Sequence, residues 1–437
     1  MKNSFLLLFF LFLINCSSPS NLDIDVESLK KEGLTILKSK NTQDQSFEEI
    51  SKIDSILLYK NYININISDF IINEFKLLKY FNSSSNAKSL NSNNDAEFNK
   101  HNVYNKNLLY FNNFLILVDD ETNLIFLDKH LKILKKIQIH QKNKRRDYIF
   151  KFSLIGQNGI LYVSDNMGTI LAIDINAYKI LWRNDFSVPF LSNLAINKNS
   201  IFVTNSNGKL FSFDLLTGKQ NWSYETGTNT IKSERSYKIT IFNNILVFTN
   251  DLGNLYAIDL NKRSILWNYS IEYSGERADL DVLQSSELYI EDNFLYFSTT
   301  YGRLVKLDIL VGKQVWKNDF SSNLNLFTTK DHVIIINEEG YFSIFNKHTG
   351  SPLFKKNLAK LNHKKKINNS TFRLNNLYVG SEYIYVTTSD GYLIKINSKN
   401  LQNIQYNKIS DQIKSKIISI NENLYFIGEK NYIYEIK

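Results

Sequence analysis

The chain has 437 residues, of which 43% are hydrophobic and 14% aromatic, so it is long enough to bury a large core. Its 52 basic and 43 acidic residues give a formal net charge of +9, but the two signs are interspersed along the sequence. Interspersed charge is typical of a solvated surface, and we expect no nucleic-acid binding because no basic and aromatic groove is visible.

The N-terminal segment has the layout of a secretory signal, with a lysine at position 2 and an apolar run over residues 5–14. That run is shorter than the roughly 20 residues a membrane-spanning helix needs. The following sequence LINC, ending on Cys16, resembles the bacterial lipobox, in which the cysteine becomes the acylated first residue of the mature protein. We therefore predict a signal peptide over residues 1–15 and lipidation at Cys16; the alternative is an ordinary signal peptide with an incidental cysteine.

Cys16 is the single cysteine of the chain, so the predicted mature protein has no disulfide, no thiol nucleophile and no cysteine-ligated metal. Residues 16–69 are predicted as a lipidated, mostly polar tether, which becomes apolar and β-rich from about residue 55. We predict a propeller domain over residues 70–437, with a loop by composition at 82–100.

A unit of about 40–50 residues recurs eight times from about residue 104. Its clearest copy is VTNSNGKLFSFDLLTGKQNW, residues 203–222. It contains a β-run, a turn at Gly208, a second β-run ending on Asp214, a turn at Gly218 and a strand carrying Trp222. Glycine suits these turns because a tight hairpin requires positive φ. The equivalent first-turn glycines include Gly168, Gly208, Gly253 and Gly302. All four tryptophans take the same place in the unit, at Trp182, Trp222, Trp267 and Trp316.

This period, with four short strands per unit, predicts an all-β fold: an eight-bladed β-propeller of four-stranded antiparallel blades. The tryptophans are expected to anchor each blade to its neighbour. The eighth unit ends on its third strand, so its fourth strand should come from within residues 70–104. This N-terminal strand would close the ring and cover an open sheet edge.

Four long linkers join the fourth strand (D) of one blade to the first strand (A) of the next, and all should lie on one face with the turns between strands B and C. We interpret the basic linkers 140–147 and 361–370 as solvated connections. We predict a binding role for 227–236 and 272–286, which are consecutive around the ring.

The unit Ser212-x-Asp214-x-x-Thr217-Gly218-Lys219-x-x-Trp222 is similar to the tryptophan-docking repeat of pyrroloquinoline-quinone (PQQ) propellers. Eight such units behind a lipobox resemble the BamB family, lipoproteins of the outer-membrane β-barrel assembly machinery. The resemblance implies a non-catalytic scaffold on the periplasmic face of the outer membrane, held by its lipid anchor alone. Its expected partners are a BamA-like insertase and, as a second class, unfolded outer-membrane proteins. The positions matching the family's BamA-binding runs are Ile231, Lys232 and Glu234 in the first linker, and Arg277, Asp279 and Asp281 in the second.

Two other functions stay open on the sequence. One is an envelope sensor or adhesion propeller that binds another protein. The other is a PQQ-dependent dehydrogenase, which is disfavoured because the tryptophans are used as anchors and the six histidines show no ligand spacing. We therefore predict no catalytic residue, no metal site and no cofactor.

Overall fold

The computed structural model describes residues 88–89, 108–119, 121–128, 131–141, 150–227, 237–250, 254–270, 285–300, 302–359, 372–379, 383–410, 412–420, 423–428 and 433–436. These residues form 32 β-strands joined by turns, and no helix occurs among them. The strands make eight sheets of four strands each, which we number as blades 1 to 8.

The strands are short and evenly spaced along the chain, as the repeat predicts. Blades 1 to 4 contain, in chain order, β2 (Leu109–Phe111), β3 (Phe114–Val118), β4 (Asn123–Leu127), β5 (Ile133–Gln138), β6 (Phe152–Gln157), β7 (Ile160–Asp165), β8 (Thr169–Asp174), β9 (Lys179–Asp185), β10 (Ala195–Asn197), β11 (Ser200–Thr204), β12 (Lys209–Asp214), β13 (Gln220–Glu225), β14 (Ile239–Phe242), β15 (Ile245–Thr249), β16 (Asn254–Asp259) and β17 (Ser264–Ser270). Blades 5 to 7 contain β18 (Tyr289–Glu291), β19 (Phe294–Thr299), β20 (Arg303–Asp308), β21 (Gln314–Asn318), β22 (Leu326–Thr328), β23 (His332–Ile336), β24 (Tyr341–Asn346), β25 (Pro352–Asn357), β26 (Leu374–Val379), β27 (Tyr383–Thr388), β28 (Tyr392–Asn397) and β29 (Ile404–Lys408). Blade 8 contains β30 (Ile418–Ile420), β31 (Asn423–Ile427), β32 (Ile433–Ile436) and β1 (Lys88–Ser89).

The eighth blade combines the two ends of the propeller. Its strand order is β1-β32-β31-β30, and β1 pairs antiparallel with β32. In that register Lys88 lies opposite Glu435 and Ser89 lies opposite Tyr434. The N-terminal strand falls inside the range 70–104, so the predicted closure of the ring is confirmed together with the eight-bladed, all-β fold.

The core lies between the blades rather than inside any one of them. The two middle strands of a blade are almost continuously apolar and buried, as in β7 (ILYVSD) and β8 (TILAID). A middle strand has neighbouring blades on both of its faces, so both sets of alternating side chains need to be apolar. The outer strand keeps one exposed side, as in β9 (KILWRND).

A turn after the third strand repeats the same side-chain hydrogen bonds in blades 2, 3, 4, 6 and 7. In blade 3, Asp214 Oδ1 accepts the backbone N–H groups of Leu216 at 3.1 Å and Thr217 at 2.9 Å. The backbone N–H of Gly218 then donates to the carbonyl of Asp214 at 2.9 Å. Because the bonds from Thr217 favour the ionised form, they lower the pKa of Asp214. The short acidic side chain therefore stabilises the turn locally.

Three tryptophans dock on this turn of the next blade. Each indole Nε1 donates to a turn carbonyl: Trp182 to Leu215 at 2.9 Å, Trp267 to Ile309 at 2.7 Å, and Trp316 to Lys347 at 3.0 Å. The ring packs on a turn glycine so closely that no Cβ fits between them. A Cβ on Gly312 would lie 2.5 Å from Trp267, and Gly218 and Gly350 are equally close to Trp182 and Trp316.

Trp222 is the exception, because it is only half-buried. The turn of blade 4 carries Arg263 where the turns of blades 3, 5 and 6 carry glycine, with the same bond from its N–H to the carbonyl of Asp259 at 2.7 Å. Arg263 has a φ of 55°, so an arginine side chain projects from a backbone conformation that favours glycine. A Cβ at this place excludes the close approach that the other three tryptophans make.

Candidate functional site on the linker face

In blades 2, 3 and 6 the outgoing linker leaves the blade beside the turn between its second and third strands. The backbone N–H of Phe186, directly after β9, donates to the carbonyl of Gly168 at 2.8 Å, and that of Leu358 donates to Gly340 at 2.8 Å. In blade 3 the hydroxyl of Thr226 reaches the carbonyl of Gly208 at 2.9 Å. We call this end of the propeller the linker face.

The first predicted binding linker, 227–236, has both ends fixed to the blades. At its start, Asn250 Nδ2 donates to the carbonyl of Gly227 at 3.0 Å. At its end, the N–H of Tyr237 donates to the carbonyl of Leu191 at 3.0 Å, and the N–H of Lys238 donates to Thr249 Oγ1 at 2.9 Å. Blades 3 and 4 therefore hold the two ends of this linker in place.

The second predicted linker, 272–286, returns to blade 5 through paired serines. Ser285 forms an antiparallel bridge with Thr299. The N–H of Ser286 donates to the carbonyl of Ser298 at 2.8 Å, and the N–H of Ser298 donates back to Ser286 Oγ at 2.9 Å. The side chain of Ser286 is buried, so this end of the linker is anchored in the protein interior.

An ion pair joins the returning ends of the two linkers. Lys238 follows the first linker and Glu287 follows the second, and Lys238 Nζ lies 3.0 Å from Glu287 Oε1. Lys416, just before β30, brings its Nζ to 3.8 Å from the same oxygen. The charge of Lys238 first, and then that of Lys416, lowers the pKa of Glu287 to about 2. We call these three residues the linker-end cluster.

The linker-end cluster borders a cavity of about 360 Å³ among the innermost strands. Its wall also includes residues of β2 and β6, together with the backbone segment 190–194. The first strands of blades 1 and 2 therefore face this central space, and the linkers return to the blades at its edge.

The residues predicted to bind a partner lie outside the described residues. This applies to Ile231, Lys232 and Glu234, to Arg277, Asp279 and Asp281, and also to Cys16 and Gly253. The structure does describe the blade residues on both sides of the two linkers. Gly168, Gly208 and Gly302 lie at turns with φ of 89°, 68° and 83°.

Sequence reasoning missed the linker-end cluster. Lys238 and Glu287 each stand just before the first strand of consecutive blades, so they occupy equivalent places in the repeat. The sequence contained a signal for this contact, because Lys238 and Glu287 carry opposite charges at equivalent positions of neighbouring repeats. The predicted linkers end at residues 236 and 286, just before these two residues.

The basic linker 140–147 begins in contact with blade 2. His140 Nε2 lies 2.6 Å from Asp165 Oδ2, and its ring stacks on Phe150 with centroids 5.5 Å apart. Arg183 donates to the carbonyl of Ile139 at 2.5 Å. These contacts fix the first residue of the linker, and residues 142–149 lie outside the described part of the chain.

No group of three or more histidine, cysteine, aspartate or glutamate residues among the described positions could hold a metal ion. Burial lowers the pKa of His332, which favours the neutral ring. Within the same residues there is also no helix with the length and apolar character needed to cross a membrane.

One family model matches the central part of the chain. Residues 153–356 match the family model described as outer membrane protein assembly factor BamB. An uncharacterized protein of Rickettsia prowazekii is 22% identical over 304 residues, which cover 67% of this chain and 73% of that protein. The outer membrane protein assembly factor BamB of Kangiella koreensis is 27% identical over 183 residues, covering 39% of this chain and 44% of that protein.

Among solved structures, the crystal structure of BamB from Moraxella catarrhalis superposes with a TM-score of 0.61 at 17% identity. The match covers 76% of this chain and 96% of that one, and it bears on the fold alone. The resemblance read from the tryptophan-docking repeat is confirmed. Residues 153–356, just under half of the chain, are thus similar to the PQQ-type propeller family whose model is described as outer membrane protein assembly factor BamB.

Proposed function

We propose that this chain is a non-catalytic scaffold lipoprotein of an outer-membrane β-barrel assembly complex. Cys16 carries the lipid anchor after removal of residues 1–15, and the tether 16–69 joins it to the propeller. The propeller binds a BamA-like insertase and thereby assists insertion of outer-membrane proteins. The BamB description of the matching family and of its relatives supports this assignment.

The observation that carries the proposal is the coupling of the two predicted binding linkers. Their returning ends are joined by the 3.0 Å contact between Lys238 and Glu287, so a partner can engage both linkers at once. Rigid ends lower the conformational entropy lost on binding. The two runs therefore act as one binding surface on the linker face.

Each predicted residue has a distinct role in that surface. Asp279 and Asp281 supply charge-assisted hydrogen-bond acceptors for a basic partner, and Ile231 supplies an apolar anchor. Lys232 offers a single flexible cation rather than the planar pair of donors that an arginine would provide. Arg277 is the planar donor of the second linker.

Binding through linkers is favoured over binding through blade edges. In blades 1 to 6 the pairing of the third and fourth strands shifts register beside the tryptophan position. Such β-bulges twist an edge strand away from regular pairing and protect it from added strands. Unfolded outer-membrane proteins, the second proposed class of partner, would then meet the loops rather than the edges.

Co-purification from detergent-solubilised envelope tests the proposal. We expect Asp279→Ala combined with Asp281→Ala to reduce recovery of the insertase by about tenfold or more, because two charged acceptors are removed from one linker. Glu338→Ala combined with Glu339→Ala is the matched control. It removes the same charge from an exposed turn of blade 6 on the same face.

Unchanged recovery with the Asp279 and Asp281 variant would contradict the assignment of the second linker. Recovery of an unrelated envelope protein with no insertase would favour a sensor or adhesion propeller instead.

A further inference from the structure

Exposed apolar side chains of the described residues concentrate at the end of the propeller opposite the linkers. The most exposed are Leu216 at 71%, Val311 at 63% and Leu310 at 52%. They lie in the turns between the third and fourth strands of blades 3 and 5. The other exposed large apolar residues begin the outer strands of blades 1, 2, 4 and 5, with Met167 on the linker face as the exception.

The fold does not require apolar residues at these turn tips. The equivalent turn of blade 4 has Asn261 and Lys262 at the two tip positions, and that of blade 6 has His348 and Thr349. These polar tips make the same hydrogen bonds to their turn aspartate or asparagine. Leucine and valine at exposed tips therefore point to an interaction surface rather than to turn chemistry.

Cationic side chains surround the apolar tips. The exposed charged residues of the turns in blades 3 to 5 are Lys219, Lys262, Arg263 and Lys313. The carboxylates of the same turns are half-buried and accept backbone hydrogen bonds, as Asp308 Oδ1 does from Leu310 at 2.8 Å. The turns between the first and second strands of blades 3 and 5 lie at the same end and add one exposed cation, Lys198, and one exposed carboxylate, Asp292. Solvent on this face therefore meets apolar tips and an excess of positive charge.

We infer that this turn face rests on an anionic phospholipid surface. Apolar side chains that enter the headgroup region, flanked by lysine and arginine that meet phosphates, are the chemistry of interfacial membrane binding. The tips of blades 3 and 5 are separated by the polar turn of blade 4. A fluid lipid surface can meet separated tips, whereas a folded protein partner would favour a continuous apolar patch.

This placement is compatible with the proposed partner. The strands of a blade alternate in direction, so the turn face and the linker face are at opposite ends of the propeller. A lipid surface on one end leaves 227–236 and 272–286 accessible. The inference also uses the proposed anchor at Cys16, since a tethered protein needs only weak contacts to stay oriented at the surface.

Quenching of an introduced tryptophan by brominated lipids tests the inference. The full chain is held on vesicles of phosphatidylethanolamine and phosphatidylglycerol by an N-terminal histidine tag and a nickel-chelating lipid, so the result does not depend on acylation of Cys16. Leu216→Trp places an indole on the turn face, and Met167→Trp places one on the linker face as the matched control. The unchanged chain supplies the background from its four tryptophans.

We expect the indole at position 216 to be quenched at least about twofold more than the one at 167, and more strongly with phosphatidylglycerol than without it. Adding Leu310→Asp and Val311→Asp to Leu216→Trp should abolish the difference. Equal quenching at both positions, or stronger quenching at 167, would overturn the inference. Protection of position 216 from iodide only when a protein partner is added, without lipid quenching, would overturn it in favour of a protein. Because none of these variants alters the two binding linkers, loss of insertase binding remains a separate outcome.

Discussion

The change Gly312→Ala tests directly whether docked tryptophans hold the blades together. Gly312 has a φ of 69°, and a Cβ built on it would lie 2.5 Å from the ring of Trp267. That ring is buried and donates its Nε1–H to the carbonyl of Ile309 at 2.7 Å. An alanine at this position therefore meets both a backbone strain and a steric conflict.

The expected loss of stability has two parts. An alanine at positive φ costs about 1–2 kcal/mol. Forcing one more methyl group against a packed ring costs about 1–3 kcal/mol. The free energy of unfolding of the Gly312→Ala variant should therefore fall by about 2–5 kcal/mol.

Gly302→Ala is the matched control for backbone strain alone. Gly302 has a similar φ of 83°, but a Cβ there would have nothing within 4 Å. It should cost about 1–2 kcal/mol. Urea unfolding followed by circular dichroism gives both values, and tryptophan emission should shift to the red in the Gly312 variant alone, because only there is an indole displaced. Equal losses in the two variants, with unchanged emission, would refute the docking argument.

Three further predictions concern Arg263, Glu291 and Glu287. Arg263→Gly should stabilise the chain by about 1 kcal/mol, because it removes a side chain from positive φ. The ring of Trp222 can then dock on the turn, so iodide should quench its fluorescence less. An unchanged response to iodide would contradict this. Glu291→Gln should cost about 3–5 kcal/mol in urea unfolding, because Glu291 Oε1 lies 2.5 Å from Lys347 Nζ and both side chains are almost completely buried. Glu291→Leu combined with Lys347→Met should cost much less, and a loss as large as that of the single change would contradict the ion-pair argument. The pKa of Glu287 is lowered from its ordinary value of 4.5 to about 2, so its ion pair should add full stability above about pH 4.5 and lose it as the pH falls towards 2. Because Glu287 is partly exposed to solvent, we expect Glu287→Gln to remove only about 1 kcal/mol at pH 6 and nothing near pH 2, as measured by urea unfolding at both pH values.

The framework of the propeller could be predicted because it repeats. Gly208, Asp214 and Trp222 stand in units whose spacing indicates four strands and a hairpin turn, and the missing last strand indicates that the N terminus closes the ring. Such features depend on local backbone chemistry and on apolar alternation, both of which are visible in one sequence. The pairing of an N-terminal strand with the last strand of the chain then follows from the need to cover a sheet edge.

The sequence was less informative where equivalent positions of the repeat make different contacts. Trp222 has the same spacing as the other tryptophans, but its burial depends on Arg263, which is in the next blade and 41 residues away. Lys306 takes the place of a small residue opposite a tryptophan, and its Nζ donates to the carbonyl of Lys347 in the next blade at 3.2 Å. Such contacts between blades are set by three-dimensional packing, which the period alone does not reveal.

The candidate site was harder to predict, for a related reason. The linker sequences differ from one blade to the next, so the binding roles of 227–236 and 272–286 were predicted from a family resemblance. Lys238 and Glu287, which join the ends of the two linkers, are 49 residues apart in the sequence. Only the ring geometry brings their ends together.

The central claim, that two consecutive linkers bind the insertase, is tested most directly by titrating the full chain with the periplasmic domains of the insertase from the same organism. We expect Asp281→Arg, and separately Ile231→Asp, each to weaken binding by about tenfold or more, because one reverses a charge and the other removes an apolar anchor. The combined Glu338→Ala and Glu339→Ala control should bind like the unchanged chain. Unchanged affinity for both linker variants, at equal fold stability, would contradict the account.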